Sequence, residues 1–195
     1  MAQMAKGDRA ANSSEALPAE ARGDLLTAAT RHIALLTAIV ATCGSLYFSE
    51  VLRWIPCQLC WYQRILMYPL VVILTVGILR DDRGLHLYAL PLALGGIAVS
   101  LAHYLEVLGI IPPSACVGSV PCSIDYLTPI LTGPLAFIKI PFLALVAFAI
   151  ISVMLGNYAL AGAPATPPAR RRSAAIGAIA ILLGTIALFV LLGLL

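Results

Sequence analysis

Five long apolar stretches, separated by short polar segments, dominate the chain. They run from His32 to Leu52, Trp61 to Leu79, Gly84 to Leu105, Ile140 to Ala163 and Ser173 to Leu195. The first is uncharged from Ile33 to Ser49, the second carries one charge, Arg64, and the other three carry none. A helix of about 20 residues, rising about 1.5 Å each, crosses a hydrocarbon core of about 30 Å. Each stretch is therefore long enough to span a bilayer. The bilayer core offers no water to backbone polar groups, so each must be helical. The pattern predicts an all-α integral membrane protein, a four-helix transmembrane bundle plus an additional C-terminal transmembrane helix.

The remaining segments are different material. Residues 1–31 carry Lys6, Asp8, Arg9, Glu15, Glu20, Arg22, Asp24 and Arg31 among Ala, Ser and Gly. They contain no apolar core of a cleavable leader. They read as a disordered cytoplasmic tail, with a surface helix over Ala16–Thr30 compatible with its composition. Residues 32–163 read as the four-helix unit, 164–172 as a basic Pro-rich linker, and 173–195 as an appended helix that anchors or packs. No internal repeat occurs.

Composition agrees with this division. The 195 residues are 61% hydrophobic and only 11% charged, where soluble domains carry about 25% charged residues. A soluble globule is excluded, and a net charge of +3 is too small for a nucleic-acid surface. The basic residues set an orientation instead. Lys6, Arg9, Arg22, Arg31, Arg80, Arg83 and Arg170–Arg172 fall on one side of the threading, against Arg53, Arg64 and Lys139 elsewhere. By the positive-inside rule the N-terminus is cytoplasmic, and the segments Arg53–Cys60 and Glu106–Lys139 are outside.

That orientation changes the reading of the cysteines. Four of the five, Cys57, Cys60, Cys116 and Cys122, fall outside, in a space where disulfides persist. Cys57-Gln58-Leu59-Cys60 follows Pro56 and opens a helix, whose N-terminal partial charge favours the thiolate that attacks in disulfide exchange. A permanent staple is the alternative. Zinc would need four ligands, and the C-x5-C spacing of the second pair does not complete such a set, so no metal is expected. Cys116 and Cys122, separated by a loop with Gly118 and Pro121, fit either an exposed exchangeable disulfide or a structural staple. Two such pairs suggest a relay. Cys43, alone in the first stretch, reads as a small buried apolar residue.

Arg64 lies four residues after Cys60 and seven after Cys57, positions that share a helix face. A membrane-embedded arginine is costly and marks function. Its charge can stabilise a Cys60 thiolate or hydrogen-bond an electron acceptor; snorkelling to the headgroups is the bland alternative. His103 lies at the outer end of the third stretch, at a depth similar to Arg64. It can donate to a quinone-like ring or pair with backbone or water. Tyr47, Trp54, Trp61 and Tyr62 fit an interfacial aromatic belt, or the lining of a flat apolar pocket.

At these residues the chain resembles a known family. Gly44-Ser45-Leu46-Tyr47-Phe48-Ser49-Glu50, Ile55-Pro56-Cys57-Gln58-Leu59-Cys60-Trp61-Tyr62-Gln63-Arg64 through Leu70, His103-Tyr104-Leu105-Glu106, Cys116 through Cys122, and Ile140-Pro141-Phe142-Leu143-Ala144-Leu145 are similar to the disulfide bond formation protein B family (DsbB), in its BdbC branch. The similarity covers about residues 33 to 155. It implies a membrane thiol-disulfide oxidoreductase in the bacterial inner membrane that reoxidises a DsbA- or BdbD-like thioredoxin-fold partner. It implies exchange with that partner at Cys116 and Cys122. It implies electron transfer through Cys57 and Cys60 to a membrane quinone, menaquinone or ubiquinone, with Arg64 and His103 beside it. The charged tail and the fifth helix depart from the family pattern.

Two rival readings remain at this level. Vitamin K epoxide reductases also use two cysteine pairs on a helical bundle, and the cysteine inventory does not give the direction of electron flow. A membrane scaffold with two structural disulfides is the other, although a scaffold has no use for Arg64.

Overall fold

The computed structural model describes residues 19–112, 120–124, 126–127 and 133–194. The described residues contain five long helices: α1 (Ala19–Leu46), α2 (Gln58–Leu79), α3 (Leu85–Val107), α4 (Ile140–Leu160) and α5 (Pro168–Leu194). All five contain segments long and apolar enough to cross a membrane, and no strand occurs among the described residues. The protein is a multi-pass membrane protein. Helices α1 to α4 close into a ring, each packing on its two neighbours, while α5 lies outside against α1 and α2. This is the four-helix bundle with an appended helix.

The core runs along the bundle axis through Leu35 and Ile39 of α1, Leu70 and Leu74 of α2, and Phe148, Ile151 and Leu155 of α4, all essentially inaccessible. On α3 small residues, Ala89, Ala93 and Gly96, line the same core. Gly96 is required there, because a Cβ would run into the ring of Phe148. Outward positions such as Ile65, Val72 and Leu87 remain exposed, as a lipid-facing surface demands.

Two boundaries differ from the sequence expectation. Helix α1 starts at Ala19, inside the Ala16–Thr30 stretch compatible with a surface helix, but it runs on into the first span, and Arg31, assigned to the tail, is only 2% exposed. Helix α5 starts at Pro168, so Arg170–Arg172 are helical and the linker is shorter than expected. Proline suits a first helical position, where its missing N–H costs nothing. Arg31 is drawn inward because a partner waits for it.

That partner is Asp81, in the turn between α2 and α3. Helices α2, α3 and α4 end alike. The residue after the cap takes a left-handed conformation, and two N–H groups turn back onto the last carbonyls. In α3 and α4 that residue is glycine, Gly109 and Gly162, but in α2 it is Asp81 at φ +52°. A left-handed side-chain residue costs about 1–2 kcal/mol, so another interaction must offset it. The Asp81 carboxylate accepts hydrogen bonds from Arg31 (3.3 Å), from the Thr166 hydroxyl (2.6 Å) and N–H (3.0 Å), and pairs with Arg171 (3.2 Å). The Arg31 guanidinium also donates to the Thr166 hydroxyl (2.6 Å) and stacks over Tyr158. Burial raises the Asp81 carboxyl, but the Thr166 and Arg31 hydrogen bonds outweigh it and hold the group below its ordinary range. This cluster fastens the α4–α5 linker to the bundle.

Candidate redox site

The opposite end of the bundle gathers the residues singled out in the sequence. Cys57 caps α2 with an extended backbone, and its sulfur accepts from the Cys60 N–H at 3.3 Å. Because C-x-x-C spans the first helical turn, the two sulfurs meet, 3.0 Å apart and not bonded. Cys57 is buried, at 2% exposure, and Cys60 is half-buried. The hydrogen bond from the Cys60 thiol pulls the Cys57 thiol far below its ordinary range; burial opposes this, and His103 adds to it.

His103 reaches this pair from α3. Its Nε2 lies 3.6 Å from Cys57 Sγ and 3.0 Å from the Cys122 carbonyl oxygen, and its Nδ1 lies 3.1 Å from Gln63 Nε2. The Gln63 amide, as placed, only donates, so Nδ1 accepts and Nε2 carries the hydrogen. That hydrogen faces both the Cys122 carbonyl and the Cys57 sulfur. His103 therefore stands between the C-x-x-C pair and the loop cysteine. Cys122 is buried and disulfide-bonded; Cys43, Cys57 and Cys60 are free, so its mate is none of these. Cys116 lies outside the described residues.

Arg64 is one turn beyond Cys60 on α2. Its Nε donates to Ser45 Oγ and its Nη2 to the Ser45 carbonyl, both at 2.9 Å, and its guanidinium stacks over Trp61 at 5.1 Å. The side chain is therefore held between the last turn of α1 and the first turn of α2. Nη1 has no partner among the described residues. Ser45 sits where α1 passes into a wider π-helical turn, Tyr47–Val51, a distortion that clusters at functional sites.

These groups open onto a cavity of about 640 Å³ between α1, α2 and α4. Cys57, Cys60, Arg64 and His103 all line it. Phe48, Trp54 and Tyr126 stack in series, centroids 5.2 Å apart, along its wall. Trp54 and Tyr47 thus line the pocket, whereas Trp61 and Tyr62 are exposed. Sequence reasoning missed Gln63, Ser45, Tyr126 and Phe189 of α5, which also lines the cavity. Gln63 was the accessible one, since it shares the i, i+3 face with Cys60.

A dithiol at a helix start, beside an apolar cavity, with a disulfide at hand, is the equipment for thiol exchange. A family model for "Disulfide bond formation protein DsbB" matches residues 28–155. The chain belongs to the DsbB family. Among its relatives is Disulfide bond formation protein C of Bacillus subtilis (strain 168), 48% identical over 122 residues, or 62% of this chain and 85% of that one. A probable disulfide formation protein C of Halalkalibacterium halodurans is 47% identical over 120 residues, covering 60% and 84% of the two chains. A probable disulfide formation protein of Coxiella burnetii (strain CbuK_Q154) is 42% identical over 127 residues, covering 64% and 83%. No solved structure matches the chain. The DsbB match ends before α5 begins. DsbB membership and the free C-x-x-C pair together support a thiol-disulfide oxidoreductase.

Proposed function

We propose that the protein reoxidises a thioredoxin-fold dithiol oxidase of the DsbA or BdbD type and delivers the electrons to a membrane quinone, sustaining disulfide formation in exported proteins. The single observation that carries the reading is the cavity itself. It joins the Cys60 sulfur, the Arg64 guanidinium and a flat aromatic wall in one apolar space at one end of the membrane-spanning helices. Those donors fit a quinone: an apolar cleft for the ring and tail, and a cation with a spare N–H for a carbonyl oxygen. Cys57, Cys60, Arg64 and the Phe48–Trp54–Tyr126 stack are the groups that would hold it. A bound quinone supplies a lipid-soluble two-electron acceptor.

The chain's own residues perform the sulfur exchanges. A thiolate of the reduced partner attacks the disulfide that contains Cys122, and the partner's second thiol resolves the mixed disulfide. The partner is oxidised and the loop pair, Cys116 and Cys122, becomes a dithiol. A loop thiolate then attacks the Cys57–Cys60 disulfide; the loop disulfide re-forms and Cys57 and Cys60 become thiols. The proximity of His103 to Cys57 and to the Cys122 backbone supports a short path between the two pairs. Its Nε2–H is positioned to steady negative charge on Cys57. Arg64, fixed by Ser45 and Trp61, faces the cavity one turn from Cys60. The loops face the extracytoplasmic side of a bacterial cytoplasmic membrane in this reading, on the charge distribution given above.

Purified protein in detergent, given a reduced thioredoxin-fold donor, should bleach ubiquinone or menaquinone absorbance with one donor disulfide formed per quinone. No bleaching with either quinone would sink the proposal. Arg64→Leu should lower quinone reduction about 10²-fold, as for loss of one preorganised donor, while leaving exchange between the loop and the partner unchanged.

A further inference from the structure

The spacing of cysteines along the chain excludes a four-cysteine metal site, yet folding adds a donor from another helix. Cys57 Sγ, Cys60 Sγ and His103 Nε2 lie within 4.8 Å of one another. We propose that the reduced Cys57–Cys60 pair and His103 form a binding site for a thiophilic divalent cation, zinc or cadmium, which locks the protein in its dithiol state. The binding itself does not depend on the acceptor being a quinone.

Zinc bonds of about 2.3 Å to thiolate and about 2.0 Å to imidazole, in a tetrahedron, set the donor atoms about 3.5–3.8 Å apart. The Cys57 Sγ to His103 Nε2 distance is already 3.6 Å. The two sulfurs, at 3.0 Å, must open by less than an ångström, within reach of a small χ1 rotation at the helix start. All three residues line the cavity, which leaves the fourth coordination position open to water from that side. A metal-bound Nε2 cannot carry a hydrogen, so Nδ1 must carry it. Gln63 accommodates this: turned end for end, its amide accepts from Nδ1–H through Oε1, the outer hydrogen bond that orients a ligating histidine. Arg64 lies on the same wall and tempers the charge of two thiolates.

No electrons move in this step. Two metal–sulfur bonds form, and the thiol protons that the pair still carries leave to solvent. A Cys57–Cys60 disulfide has no thiolates to offer, so the site exists only after the protein has received electrons. Occupied, it withholds both sulfurs from onward transfer. The chemistry predicts an enzyme that is inhibited by thiophilic metals during turnover and insensitive to them when oxidised at rest.

The test uses full-length protein in detergent in which Cys43, Cys116 and Cys122 are replaced by serine, so that Cys57 and Cys60 are the only thiols. It is reduced with a phosphine, freed of it and titrated with cadmium. One cadmium should bind per chain, with a cadmium–thiolate absorption band, and zinc should compete for it. Oxidation of the pair should abolish the band. His103→Ala should weaken binding markedly at an unchanged thiol count, and Gln63→Leu should weaken it about 10–100-fold, as for loss of an outer-shell partner. The cadmium NMR shift should report two sulfurs and one nitrogen, both in this protein and in the full native chain with its loop cysteines left in place. Equal cadmium affinity with and without His103, or a shift showing sulfur and oxygen ligands only, overturns the proposal.

Discussion

Asp81 and Cys57 sit at opposite ends of α2, each just outside the helix and each among polar neighbours brought in from other elements. Around Asp81 the carboxylate is filled. Arg31, Thr166 and Arg171 all point at it, and the strained backbone of Asp81 itself is tolerated for that purpose. Around Cys57 the neighbours are fewer and softer. A thiol, an imidazole with alternative tautomers and an amide that can turn around face a cavity. The first arrangement has one good geometry and ties a linker down. The second holds an imidazole that can exchange tautomers and an amide that can turn around, which suits chemistry that makes and breaks S–S bonds. At these two ends, a filled carboxylate goes with a clamp, even though Arg31 Nε beside it is buried without a partner among the described residues, and spare capacity goes with the cysteine pair.

Substitution at each end should separate the two roles. Cys57→Ala should abolish oxidation of the partner dithiol and leave the thermal midpoint nearly unchanged; a large loss of stability with residual turnover would erase the distinction. Asp81→Ala should do the opposite. It leaves Arg31 buried without its counter-ion, at a cost of about 3–5 kcal/mol, measurable as a lowered midpoint of unfolding, with turnover per folded molecule retained. Asp81→Gly should cost less, because glycine relieves the left-handed backbone by about 1 kcal/mol.

The two ends should also respond differently to acid. The Cys57 thiol is held low chiefly by the Cys60 thiol, so its thiolate persists as pH falls, down to that depressed value. Iodoacetamide should alkylate Cys57 well below the ordinary thiol value of about 8.5. Cys60→Ala should move the midpoint of that rate upward. Asp81 is also depressed, against its burial, by Thr166 and Arg31. Its contribution to stability is full above the ordinary carboxylate pKa and disappears only as pH falls through the lower folded value. Linker attachment, followed by cross-linking of α5 to α1, should therefore survive mild acid.

The smallest effect concerns α5 itself. Phe189 lines the cavity and meets Tyr47 edge-on, with ring centroids 6.4 Å apart. Phe189→Ala should raise the KM for a long-tailed quinone about four- to fifteen-fold, the range for losing one or two buried methylene equivalents at about 0.8 kcal/mol each. A short-tailed quinone should be less affected. Equal effects on both would mean that α5 only packs.

The apolar pattern along the chain was enough to establish five helices, their approximate limits and the division into four plus one. This is so because lipid leaves a long apolar segment no other way to satisfy its backbone. The C-x-x-C pair and Arg64 were legible too, since residues within two turns of one helix keep a fixed relation whatever surrounds them. Contacts between helices were not. Nothing in the sequence joins Arg31 to Asp81, Arg64 to Ser45, or His103 to Gln63 and Cys57, because those distances depend on how rigid helices pack and rotate against one another. Arg31 was therefore read as tail, and Gln63 was part of a motif with no role of its own. The amino-acid order specified which reactive groups the protein owns; the packing of α1 and α3 on α2 decided which of them meet.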